Sequence, residues 1–246
     1  MLKWLTAKKS PSAVPAAEAG TALAALFEPT GAPALAELPP PPPPKPEGRG
    51  RLIFALDATA SRAPTWVEAC RLQAAMFEAT AGLGELRSQL VYYRAAEQRA
   101  SDWVGSAEAL LQLMRPVYCL AGNTQIGWVL QHAATETRRQ KVGAVIFIGD
   151  AMEENSRKLV TLAEGLGRLE TPIFLFQEGH NPAVARVYQA LAKASGGAHL
   201  PFDLAGIEQL KELLGAVAIY AIGGKDALAE AAVSDAGAAL LLTHLK

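Results

Sequence analysis

The spacing of apolar residues changes texture near residue 50. From Arg51 onward, short unbroken apolar runs alternate with stretches where apolar residues recur every three or four positions. That is the pattern of strands and helices laid down in turn. Residues 51–57 and 142–149 are such runs, the first closing on Asp57 and the second followed at once by Asp150, and both predict fully buried strands. Residues 86–94 and 98–103 predict two strands close enough for a hairpin, 172–177 a further strand and 198–202 a short edge strand. Helical periodicity covers residues 65–81, 106–115, 124–139, 155–169, 181–195 and 205–222. Thr65-x-x-Glu68 after Pro64 reads as a capping box, Asn181-Pro182 as an N-cap with Pro at N1, and Gly223-Gly224 as a helix stop. The Ala/Leu-rich residues 225–246 predict a weak extra helix.

Strands alternating with helices imply a mainly parallel sheet covered on both faces, and the hairpin supplies one antiparallel edge strand. The expected architecture is α/β: a doubly wound, six-stranded sheet with helices on both faces. Ligands of such folds bind outside the carboxyl ends of the central strands. Both Asp57 and Asp150 sit at such ends.

Residues 1–50 read differently. They are rich in Ala, Pro, Glu and Gly, residues 39–44 are all proline, and Pro46 follows. Such a tract prefers extended polyproline II and acts as a semi-rigid spacer. Before it, Leu23, Leu26 and Phe27 share a helical spacing, the mark of either a stray apolar patch in a disordered tail or a docking turn. The expected division is a flexible segment with a Pro-rich linker over 1–50, a domain over 51–223 and a helical extension over 224–246.

Composition narrows the function. Half of the 246 residues are hydrophobic, enough for one substantial core, and the net charge of -1 gives no global field for nucleic acid or an anionic membrane. The two cysteines, Cys70 and Cys119, lie among apolar neighbours outside any C-x-x-C, and read as buried free thiols of a reducing compartment. The start carries no apolar signal core, and no apolar run nears the ~18 residues of a membrane span. These features predict a cytoplasmic protein with no membrane span. The Ala-rich composition suggests a bacterial source of high GC content.

The candidate chemistry is all oxygen. Asp57-Ala58-Thr59-Ala60-Ser61 sets two hydroxyls at alternate positions after the first acid, Gly122-Asn123-Thr124-Gln125 places a third at a helix start, and Asp150 ends the next central strand. Carboxylates, hydroxyls and water suit a hard cation such as Mg²⁺, whereas soft metals want Cys or His. Asp57, Thr59, Ser61, Thr124 and Asp150 together resemble the metal-ion-dependent adhesion site of von Willebrand factor A (VWA) domains, usually written D-x-S-x-S…T…D. The resemblance spans roughly residues 51–223. It implies a non-enzymatic protein–protein interaction module of the bacterial intracellular type. In it, Thr59, Ser61 and Thr124 would bind Mg²⁺ (or Mn²⁺) directly, the two acids would act partly through water, and a partner's Asp or Glu would complete the coordination. It implies further that the partner belongs to an ATPase or chaperone assembly. Thr59 departs from the preferred Ser, keeping the hydroxyl and adding a methyl group.

A Mg²⁺-dependent phosphatase of the haloacid dehalogenase type is the alternative, with Asp57 as nucleophile, because D-x-D-x-T/S overlaps Asp57-x-Thr59-x-Ser61. Against it, Thr59 replaces the proton-donating acid, helix signals begin at Pro64 where a flap is needed, and Lys141 lies before its strand. Strand-end acids are also ordinary turn and cap residues. Glu153 and Glu154 read as rim residues or as dipole complements of their own helix. Glu178 lies near the same crevice edge, His180 reads as a solvated loop residue, and Trp66, Trp103 and Trp128 read as packing residues.

Overall fold

The structure is a computed structural model that describes residues 49–203 and 206–245. Of the flexible tail and proline linker read over residues 1–50, residues 1–48 lie outside the described residues, and Arg49 and Gly50 open the first strand.

Strand β1 (Arg49–Asp57) sits near the middle of a six-stranded sheet of order β3-β2-β1-β4-β5-β6. Its neighbours β2 (Glu85–Arg94) and β4 (Ala144–Gly149) both run parallel to it. Strands β5 (Ile173–Glu178) and β6 (Ala198–Phe202) continue the parallel set. The antiparallel member is β3 (Glu97–Val104), the edge strand hairpinned to β2 as the sequence predicts.

Alternation along β1 explains the two cores. Leu52, Phe54 and Leu56 face one layer, made of α1 (Ala63–Leu72), α2 (Ala74–Ala79), α3 (Ala107–Met114), α7 (Ile207–Ala231) and α8 (Ala236–His244). Ile53 and Ala55 face the other, made of α4 (Ile126–Arg139), α5 (Ser156–Arg168) and α6 (Pro182–Ser195). A strand buried on both faces needs apolar residues at successive positions, which is why 52–56 is an unbroken apolar run between Arg51 and Asp57.

Several local readings change. The helix expected over 65–81 begins at Ala63 and divides at Gln73 into α1 and α2. The capping box does not form: Thr65 sits inside α1 and its hydroxyl donates to Arg62 O, while Glu68 pairs with Arg71. Pro64 accounts for the earlier start, because its fixed φ suits the first turn of a helix. Asn181 does cap α6, accepting from Ala183 N at 2.9 Å. Gly223-Gly224 interrupts the last helix without ending it. Gly224, at φ 69° and ψ −156°, breaks α7 in a backbone region that other residues scarcely enter. Beyond the break, Leu228, Ala238 and Leu241 are fully buried in the same core as Leu52 and Phe54. The C-terminal segment is part of the packed layer.

Candidate metal and interaction site

Chain direction reverses between β1 and β4: β1 leads outward to β2 and β3, then the chain returns through α3 and α4 to β4 on its other side. Such a switch point leaves a crevice at the carboxyl ends of the two strands. Leu56 pairs with Ile148, so Asp57 aligns with Gly149 and Asp150 follows directly; Gly149 pairs with Gln177, so Glu178 at the end of β5 lies beside Asp150. Three successive strands thus end in carboxylates.

Asp57 is buried and both its oxygens are held. Oδ1 accepts from Thr59 N at 2.7 Å and Oδ2 from the Tyr93 hydroxyl at 3.0 Å. Burial pushes its carboxyl above the ordinary range, the bonds from Thr59 and Tyr93 pull it back, and nearby Asp150 adds to the rise. Thr59 stands in extended backbone before the 3₁₀ turn Ala60–Arg62, and its Oγ1 lies 3.3 Å from Ser61 Oγ, so the two hydroxyls share one spot. Thr59 is buried and Ser61 exposed.

Thr124 joins from the other side. It is buried, its N–H donates to Glu153 Oε2 at 2.9 Å, and its hydroxyl accepts from Glu153 N at 3.1 Å. This paired contact ties the loop before α4 to the loop after Asp150. Glu154 accepts from Ile126 N and Gly127 N, at 2.5 and 2.9 Å. Glu153 and Glu154 therefore serve the N-terminal side of α4. The start of α5 is capped by Asn155, with no acid in its first turn.

Asp150 is half-buried, and its Oδ1 is a buried oxygen with no hydrogen-bond donor among the described residues. A buried carboxylate oxygen without a donor is costly, and a bound cation would satisfy it. Among the described residues no three His, Cys, Asp or Glu gather in a metal-binding group, so a cation here would need the hydroxyls as ligands. Two adjacent hydroxyls, one open carboxylate oxygen and one fixed carboxylate suit a hard cation.

Sequence reasoning missed three residues. Tyr93, near the end of β2, fixes Asp57. Tyr188 on α6 donates to Ala151 O at 3.0 Å and lies over Gly149, where a Cβ would come within 2.9 Å of its hydroxyl. Burial, then Asp57, holds the Tyr93 and Tyr188 phenols well above their ordinary value. The third is Arg62, directly after D-x-T-x-S, whose side chain is only 2% exposed and forms an ion pair with Glu178. A charge at that place in the sequence, with strand-end acids nearby, was the available signal.

Other readings resolve simply. Only residues 58–62 separate β1 from α1, leaving no span for a flap. Lys141 Nζ bonds to Leu169 O and Glu170 O, ahead of the start of β4 and at the opposite end of the sheet from Asp57. Cys70 and Cys119 are free but only half-buried. Among the described residues no helix is long and apolar enough to cross a membrane.

No family model matches the sequence. No curated protein matches it either. Solved structures do match. The SpRpn10 VWA domain is 13% identical with a TM-score of 0.54, over 65% of this chain and 94% of that one. An aerotolerance-related membrane protein from Bacteroides fragilis is 17% identical with a TM-score of 0.53, over 67% and 96%. A von Willebrand factor type A structure from Catenulispora acidiphila is 15% identical with a TM-score of 0.52, over 69% and 42%. At these identities the likeness is one of fold: the chain has a VWA-like, Rossmann-like α/β fold.

Proposed function

We propose that this chain is a divalent-cation-dependent protein–protein interaction module. Asp57, Thr59, Ser61, Thr124 and Asp150 would hold Mg²⁺ or Mn²⁺ at the carboxyl edge of the sheet, and a partner would dock through an Asp or Glu side chain. The observation that carries this reading is the donorless, buried Oδ1 of Asp150 at the switch point between β1 and β4. When bound, the cation would supply a positive charge able to take a further oxygen ligand. The chain's own contribution is placement: Tyr93 and the Thr59 N–H orient Asp57, and Glu153 anchors Thr124. A bacterial, cytoplasmic setting, an ATPase or chaperone assembly as the partner, and residues 1–50 as a tether belong to the same proposal, and rest on the sequence and its resemblance.

Calorimetry with Mn²⁺ on the full chain tests the metal. Wild type should bind weakly, and Asp57→Ala and Asp150→Ala should abolish the signal while keeping the fold; equal heats in all three sink the idea. Partner capture should be lost in EDTA and in Thr124→Ala. Robust aryl-phosphate turnover that vanishes in Asp57→Asn would instead establish the phosphatase.

A further inference from the structure

The acids at the sheet edge share their crevice with a buried base. Arg62 follows the hydroxyl pair Thr59/Ser61 and closes the 3₁₀ turn, which directs its side chain inward. Its guanidinium pairs with Glu178 at the end of β5, and the Thr65 hydroxyl shares its one proton between Arg62 O and the same Glu178 oxygen, 2.9 Å away. Nε of Arg62 is buried with no acceptor among the described residues. Asp57 ends β1 and Asp150 follows β4, the two strands before β5 in the sheet, so the guanidinium that pairs with Glu178 shares this sheet edge with two further carboxylates. Burial lowers its basicity, and Asp150, then Asp57, Tyr188 and Cys119, act to restore it. Removing Arg62 takes the buried counter-charge away from these carboxylates and destabilises the fold.

We infer that Arg62 is a resident cation of this edge: it neutralises Asp57, Asp150 and Glu178 from inside the chain, and a divalent ion enters the site against its charge. Arg62 therefore sets how weakly the site takes metal, and it holds the carboxylates together when no metal is bound. The competition part rests on the metal reading above. The counter-ion part stands without it.

The test is a Mn²⁺ titration of the full chain, by calorimetry and by the electron paramagnetic resonance of free Mn²⁺, on wild type and Arg62→Gln. Arg62→Gln should bind Mn²⁺ about tenfold more tightly or better, since one like charge is removed from a poorly solvated site. Its metal-free melting temperature should fall, and saturating Mn²⁺ should raise it by more than it raises wild type. Equal or weaker binding in Arg62→Gln, with wild type binding, overturns the competition and leaves the metal site standing. Should Arg62→Gln fail to fold, Arg62→Lys keeps the charge and should bind as wild type does; a tenfold gain there overturns the inference. Silence from every chain overturns the metal reading instead, and the counter-ion role is then decided in metal-free protein. There the stability lost in Arg62→Gln should shrink when Asp150→Asn is already present, and strictly additive losses overturn it.

Discussion

The Tyr93 hydroxyl donates to Asp57 Oδ2 across the β1–β2 pair, and the two residues sit directly opposite each other in the parallel register. The other oxygen of Asp57 is taken by Thr59 N, so the carboxylate is held in one orientation by the protein alone. Asp150 differs in keeping an oxygen without a donor. One acid is positioned and the other is open, a division of labour suited to a site that must stay shaped before a ligand arrives.

Tyr93→Phe tests that positioning. It removes one donor from a buried carboxylate and leaves the ring stacked on Phe147. Loss of the bond should cost about 1–3 kcal/mol in metal-free protein, read by chemical denaturation. Outer hydrogen bonds to metal ligands typically carry ~10–100-fold in affinity, so Mn²⁺ binding should weaken about tenfold. Unchanged affinity would mean that Tyr93 serves packing alone.

Glu154 offers a second test of how the site is assembled. Its carboxylate accepts two backbone N–H groups at the start of α4, where the helix carries roughly half a positive charge. Burial pushes the Glu154 carboxyl up, and the Gly127 and Ile126 N–H groups pull it back. Glu154→Ala should cost about 1–2 kcal/mol, as lost caps do, and should loosen the neighbouring Thr124 loop. Faster amide exchange confined to α4 and residues 120–125 is the expected signature. Glu153→Ala, at an exposed residue that accepts from Thr124 N, should speed exchange at Thr124 and leave the α4 amides beyond it as they are.

Much of this arrangement was legible in the sequence, for physical reasons. Buried parallel strands must be apolar at successive positions, so β1 and β4 announced themselves and their terminal acids stood out. Asn181 was readable as a cap because a helix start needs a side-chain acceptor there, and it supplies one; Asn155 caps α5 in the same way. Thr65 and Glu68 had the same spacing as a true cap, but Pro64 and the 3₁₀ turn moved the helix start ahead of them. The roles of Arg62, Tyr93 and Glu154 depend on contacts across 27 to 116 positions of sequence, and no local pattern encodes those.

The C-terminal helix makes a third prediction. Leu241 on α8 is fully buried against the layer that covers β1, and Gly237 lies so close to α7 that a Cβ would meet Glu212 O at 2.5 Å. Leu241→Ala should therefore cost about 2–5 kcal/mol, the range for a truncated core leucine. A detachable extension would show almost no loss in a urea melt, and that result would refute the shared core.

The last prediction concerns pH at the opposite end of the sheet. Arg51 on β1 donates to Glu136 on α4 at 2.9 Å, Trp103 Nε1 donates to the same carboxylate oxygen at 2.9 Å, and the guanidinium lies 3.7 Å over the Trp103 ring. Burial alone would raise the Glu136 carboxyl, but the bonds from Trp103 and Arg51 outweigh it and hold it below its ordinary value of 4.5. A carboxylate lowered in the fold contributes stability above its unfolded value, and that contribution is lost as pH falls through the folded value. Glu136→Gln should thus be destabilised at neutral pH by about 3 kcal/mol, since Arg51 stays buried without its counter-charge. The gap to wild type should hold steady from pH 7 to about pH 5 and close on further acidification, when wild type protonates too. Urea melts of both chains at stepped pH read this directly, and a gap that stays constant down to pH 2 would show that the charge on Glu136 contributes nothing. Mn²⁺ should leave the gap unchanged, because this cluster sits at the amino end of β1 and the candidate metal site lies beyond its carboxyl end.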